Sequence, residues 1–121
     1  MNLASRFAAT RVELATIVWP EPVMIPRERV LAGAPAAATL VLEETPTFQL
    51  GLWRVDAGEF VTDHTGYLEY VQILEGSGQL VDDDGTATVL EPGVTVLMHP
   101  GWKGRWVVTE SIVKAYTIIN S

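Results

Sequence analysis

From residue 37 onward the chain is a series of short runs rich in β-branched and aromatic residues, cut apart by glycine, proline and aspartate. The runs occupy 38–42, 48–55, 59–61, 67–74, 78–82, 87–90, 94–98, 104–108 and 112–119. Side chains of this kind suit a pleated, half-buried surface, and the residues between them supply turns. Asp84-Gly85 is a clear hairpin signal, because a tight turn needs positive φ and glycine adopts it without steric cost. Many short strands with almost no helical periodicity bury their apolar faces by closing into a sandwich or barrel. A chain of 121 residues holds one such core and is too short for two. The expected class is therefore all-β, in a single domain.

Residues 1–36 read differently and are set apart as an N-terminal arm, with the barrel at 37–121. Leu3, Phe7 and Leu14 have helix-like spacing, yet Val12, Leu14 and residues 16–19 fit a strand equally well, and the pattern leaves both open. Pro20, Pro22 and Pro26 then remove amide donors and restrain their neighbours. Residues 20–36 are accordingly expected to be extended and irregular, with room for a short strand at 23–25. Such an arm needs an apolar support, either the outside of its own sheet or a second subunit.

Composition removes several classes of function. A net charge of −7 with eight scattered lysines and arginines argues against a nucleic-acid partner, whose affinity rests on clustered positive charge. Without cysteine there is no disulfide framework, thiolate metal site or cysteine nucleophile. The start lacks the apolar core of a secretory signal, and no run approaches the roughly 18 apolar residues of a membrane span. A soluble, cytoplasmic protein without a membrane partner is the expectation. Gly76-Ser77-Gly78 lacks the following helix of a phosphate loop, and residues 82–85 lack the alternating ligands of a calcium loop. No serine sits in a nucleophile elbow.

Two linked blocks, 58–76 and 91–108, hold the remaining polar residues of interest. Gly58, His64, Glu69 and Gly76 in the first, with Gly93, Gly101 and Trp106 in the second, resemble the two motifs of the cupin superfamily. The runs GLWRVDAGEF, LEYVQILEGSGQLVDDDG, HPGWKGRWVV and VKAYTII are similar to the small single-domain cupins related to ureidoglycine aminohydrolase and the ethanolamine-utilisation cupins, over about residues 48–119. The resemblance implies a double-stranded β-helix, an RmlC-like jelly-roll barrel with an extended N-terminal arm. It also implies a homodimer and a small-molecule site inside the barrel.

The same resemblance implies a metal-ligand set that this chain keeps only in part. The first motif spaces a glycine, a His-x-His pair, a glutamate and a second glycine. Counted forward from Gly58, His64 takes the first histidine slot and Gly66 the second. Counted back from Gly76, Glu69 takes the glutamate slot, His64 the second histidine slot and Thr62 the first. In the second motif Gly104 stands in the ligand-histidine slot, Val108 in the asparagine slot, and His99 where proline is usual. His64 and Glu69 thus remain, and His99 completes a triad if its turn folds inward. One divalent metal (Mn, Fe, Ni or Zn) and no metal are both open readings, because such ions take at least three protein donors.

Alternation places Glu69, Val71 and Ile73 on one strand face and Leu68, Tyr70, Gln72 and Leu74 on the other, and both faces are partly apolar. The resemblance favours Glu69 pointing inward, where it suits general acid–base work or metal ligation; outward, it is an ordinary surface carboxylate. Trp106 shares parity with Gly104, and its ring, or that of Tyr67, fills the space a missing histidine leaves. Lys114, alternating with Tyr116 and Ile118, pairs with Glu69 or an anionic substrate if it faces inward. The candidate roles are Glu69 and His64 in catalysis, Trp106, Tyr67 and Lys114 in substrate binding, and His64, Glu69 and His99 as metal ligands. Two functions follow: a metal-assisted enzyme acting on a ureide, amino acid or carboxylate, or a non-catalytic module that binds or senses a small molecule.

Overall fold

Two long strands carry the architecture of the computed structural model, which describes residues 8–121. In chain order the strands are β1 (Val23–Met24), β2 (Val30–Ala32), β3 (Ala36–Glu44), β4 (Phe48–Val55), β5 (Gly58–Asp63), β6 (Tyr67–Asp82), β7 (Ala87–Leu90), β8 (Thr95–Met98) and β9 (Lys103–Asn120). They form one curled sheet in the order β1-β3-β4-β9-β5-β2, with β6 pairing β9, and β7 and β8 pairing β6. Short 3-10 turns at Leu14–Thr16 and Arg27–Arg29 are the remaining regular elements among the described residues. No helix there is long and apolar enough to cross a membrane. The result is an all-β jelly roll.

The sequence divides β6 and β9 where the structure bends them. The runs expected at 67–74 and 78–82 are one strand, as are those at 104–108 and 112–119. At the bend, Glu75-Gly76-Ser77 and Thr109-Glu110-Ser111 have turn-like composition, yet pairing continues through them with register shifts between Ile73 and Gly78. Gly76 has φ +90°, and a Cβ there would overlap the Ser111 carbonyl, so the two backbones approach closely only because this residue has no side chain. The N-terminal half of β6 pairs with β8 and the C-terminal half of β9, while its C-terminal half pairs with β7 and the start of β9.

In the arm, β1 lies within the short strand allowed at 23–25 and pairs with β3, whereas β2, inside the segment expected to be irregular, pairs with β5. Prolines 20, 22 and 26 flank these strands instead of interrupting them. Ile25 is buried in the core. Leu14 belongs to a 3-10 turn and Val12 to none of the regular elements, while Leu3 and Phe7 lie outside the described residues.

Inward-facing side chains separate into an apolar part and a polar one. Val55, Val71, Ile73, Leu80, Leu90 and Ile112 are essentially fully buried and pack with Met98 and Val108, each such burial being worth about 1.5–3 kcal/mol. The other part of the interior is a cavity of about 240 Å³. Phe60, Trp106 and Tyr116 belong to both the core cluster and the cavity wall.

Candidate functional site

Strand alternation determines which polar residues reach the cavity. On β6, Glu69 shares its face with the buried Val71 and Ile73, whereas Tyr70 and Gln72 are exposed. On β9, Lys114 lies between Ile112 and Tyr116 on the inward face and opposes Trp53 of β4 across the ladder. On β5, Phe60 and Thr62 alternate inward, and the chain then places His64 on the same wall. Thr62 and His64 therefore occupy the alternating pair of positions, which is the arrangement obtained by counting back from Gly76.

Glu69 is held between two basic groups. Lys114 Nζ donates to Glu69 Oε2 at 2.8 Å, and His64 Nε2 lies 3.6 Å from Glu69 Oε1. All three residues are buried, with exposures of 2% for His64, 5% for Glu69 and 6% for Lys114. The lysine ammonium also lies over the Trp53 and Trp106 rings, 4.2 and 4.7 Å from their centroids, and 5.9 Å from that of Tyr116. Aromatic faces attract a cation most strongly when it is desolvated, so the ammonium is stabilised by the carboxylate and by the surrounding indoles.

Burial, the largest cause, holds the His64 imidazole below its ordinary pKa; the Glu69 charge opposes this shift and Lys114 adds to it. Neutral His64 stacks on Tyr67 at 4.6 Å and meets the edge of Trp102 at 5.1 Å, and its Nδ1 is buried without a hydrogen-bond partner. Burial, with Glu69 adding to it, raises the Tyr67 phenol. The same causes push Tyr116 up to about 12, so both phenols remain neutral donors near neutral pH. Tyr116 donates to Gln49 Oε1 at 2.7 Å.

Of the residues singled out from sequence, His64, Glu69, Tyr67, Trp106 and Lys114 all line this cavity. His99 does not: it is exposed, on the turn after β8, beside a separate surface depression. The expected third metal ligand is therefore absent from this wall. Trp106 and Tyr67 were the candidates to fill the space of the missing histidine; the ring that lies against Gly104 is that of Trp102. A Cβ on Gly104 would come within 2.7 and 2.9 Å of the Trp102 ring atoms, and Trp102 is fixed by donating from Nε1 to Asp82 Oδ1 at 2.8 Å. Sequence reasoning also missed Trp53, Gln49, Arg29 and Ile25. Alternation along β4 predicts that Gln49, Gly51, Trp53 and Val55 share one face, a signal that was available for the first two. Nothing in the spacing brings Ile25 and Arg29 of the arm to the cavity mouth; Arg29 is fixed there by donating from Nε to the Val61 carbonyl at 2.9 Å.

These residues do not suit a divalent metal. Among the described residues no group of three or more histidine, aspartate or glutamate side chains comes together. One oxygen of Glu69 is engaged by an ammonium, and the Gly104 position has no room for a ligand side chain. A dication beside Glu69 would lie close to Lys114, and two unit charges 4 Å apart repel by about 4 kcal/mol even at an effective dielectric constant near 20.

The EutQ-like cupin domain matches residues 42–116. No curated protein matches the sequence. Among solved structures, the Clostridium difficile EutQ protein is similar at a TM-score of 0.63 and 17% identity, over 71% of this chain and 69% of that one. A protein of unknown function from Pseudomonas syringae pv. tomato gives 0.73 and 21%, over 87% of this chain and 45% of that one. A predicted oxalate decarboxylase from Thermotoga maritima gives 0.63 and 19%, over 83% and 92% respectively. At these identities the structural likeness speaks for the fold. Together with the domain match over most of the chain, it identifies this protein as a cupin of the EutQ-like family.

Proposed function

We propose that the barrel binds a small anionic metabolite carrying a carboxylate, and that Glu69 and His64 are placed to move a proton on it. The observation that carries this reading is the buried Glu69–Lys114 pair on the cavity wall with His64 against its other oxygen. Burying such groups is costly unless they are paired and used, and an apolar wall would have closed the barrel at lower cost. Charge selects the ligand class. The cavity presents two cationic groups, Arg29 and Lys114, against one carboxylate, in a chain whose net charge is −7. An anion is therefore drawn to the cavity and repelled from most of the remaining surface.

Size limits the ligand further, since about 240 Å³ lies below the ~300–1,000 Å³ of pockets for drug-sized molecules. Among a ureide, an amino acid and a simple carboxylate, charge and volume favour the last, and the structural likeness to a predicted oxalate decarboxylase agrees with a small acid. The chemistry open to these residues is general acid–base catalysis. Neutral His64 accepts a proton, Glu69 orients the imidazole or relays the proton, and the two indoles and Phe60 keep water from the reacting atoms. The engagement of Glu69 by Lys114 favours a second reading, in which the pocket binds or senses its ligand without changing it.

The test is calorimetric titration with a panel of mono- and dicarboxylates of up to about four carbons, each beside its neutral amide. Binding of acids and not amides, weakened at least tenfold in Lys114→Gln, is expected. Equal binding of acid and amide, or no binding by any acid, would overturn the assignment. Analysis of the bound acid after prolonged incubation then separates turnover from simple binding.

A further inference from the structure

We infer that the Lys114 ammonium takes the place of a metal ion in this barrel. It neutralises Glu69 from within the chain, excludes divalent cations, and offers its remaining N–H donors to an anionic oxygen of the ligand. The ligand part rests on the binding reading above; the exclusion of metal stands on geometry alone. Three features close the barrel to a dication, each in a different element. On β6, Glu69 Oε2 is taken by Lys114 at 2.8 Å. On β9, Gly104 lies against Trp102 and the Val81 carbonyl, leaving no room for a donor side chain. On β5, the position alternating with His64 is Thr62, whose neutral hydroxyl is a poor ligand for a transition metal.

The ammonium, in turn, is well provided for. One of its three donors goes to Glu69, and its charge rests against the Trp53 and Trp106 faces, which attract it without a conventional hydrogen-bond acceptor. A fixed cation on the cavity wall performs the electrostatic part of a metal's work, holding an anionic oxygen and stabilising charge that develops on it. It offers no exchangeable coordination positions. Replacing the ammonium by a donor side chain should therefore change the cavity from one that rejects dications to one that accepts them.

The test is metal titration of the full chain, untagged and pre-treated with chelator, using Zn²⁺, Mn²⁺ and Ni²⁺ separately. Metal content after gel filtration is measured alongside. The wild-type protein should retain less than a tenth of an equivalent, and no more than Glu69→Gln retains. Lys114→His, which frees Glu69 and adds a donor beside His64, should retain close to one equivalent and bind at least tenfold more tightly. The Lys114→Gln variant should gain less. Near-ultraviolet circular dichroism, to which Trp53 and Trp106 beside residue 114 contribute, shows whether each variant keeps its packed interior. Stoichiometric metal in wild-type protein that is lost in His64→Ala would overturn the inference, as would a folded Lys114→His variant that gains no affinity. Neither result depends on carboxylate binding, so the metal and ligand readings fail separately.

Discussion

At the scale of single residues, the unusual feature is a neutral imidazole beside a carboxylate. An exposed histidine so placed would gain a proton more readily, but burial outweighs the Glu69 charge and holds His64 below its ordinary 6.5. The groups facing it are Glu69 and Tyr67 from β6, Lys114 from β9, Asp63 next to it in the chain and Arg29 from the arm. Because the unfolded chain protonates this histidine at higher pH than the folded protein does, the unfolded state binds more protons in the intervening window. The stability contribution is fully present above 6.5 and is lost as pH falls through the lower folded value. Urea unfolding between about pH 8 and pH 5, above the range in which ordinary carboxylates titrate, should show stability declining with acid. The decline should be shallower in His64→Gln, with exposed His99 left in place. An unchanged slope in that variant would mean that His64 takes up its proton at the same pH in the folded and unfolded states.

At the scale of strands, the bend of β6 and β9 determines whether the inward face of one half continues into the other. Gly76 makes the bend possible, because its φ of +90° and its contact with the Ser111 carbonyl both exclude a side chain. Gly76→Ala is expected to lose more than about 1 kcal/mol, the level at which a glycine-only backbone resists alanine. Gly66→Ala, at the same φ but in open space, should lose less; a thermal or urea melt of each checks the order. The bend also shows what the sequence could convey. Alternation grouped Glu69 with Val71 and Ile73, Trp106 with Gly104, and Lys114 with Tyr116 without deciding which group faces inward, and hairpin chemistry marked the turn at Asp84-Gly85, because both are local rules. Whether Glu75-Gly76-Ser77 ends a strand or bends it depends on a partner more than thirty positions away in the chain. The same limit hid Trp53, which reaches Lys114 only through the β4–β9 ladder, and Arg29, which reaches the cavity only through the β2–β5 pairing. His99 was a ligand only on the condition that its turn folds inward, and it lies exposed on the turn after β8, a direction that no local rule fixes.

For the whole molecule, the open question is what covers the outer face of the sheet. Register aligns Leu97, Tyr70, Thr117 and Leu50 in one outward row, and Thr95, Gln72, Ala115, Leu52 and Leu40 in the next. Apart from Glu43, which opposes Leu50 at the end of the first row, neither row contains an ionised side chain, although the chain carries 23 charged residues besides its histidines, 15 acidic and 8 basic. Leu97 and Tyr70 remain 47% and 37% exposed, and Leu42 on the neighbouring β3 is 41% exposed. We propose a second copy as the partner for this face. Two chains of charge −7 repel across most of their surfaces, and a face whose ionised side chain, Glu43, stands at its edge lets them meet symmetrically with few like charges brought together. Light scattering on the gel-filtered protein should accordingly give twice the chain mass at micromolar concentration. Tyr70→Lys would place two new charges within such an interface, one from each copy, without entering the core, and should shift the mass to that of a single chain. The cavity faces the opposite side of the sheet, so this variant should bind carboxylates as the parent does. A monomer in the parent protein, or a dimer indifferent to Tyr70→Lys, would mean that this face is covered by something other than a second copy.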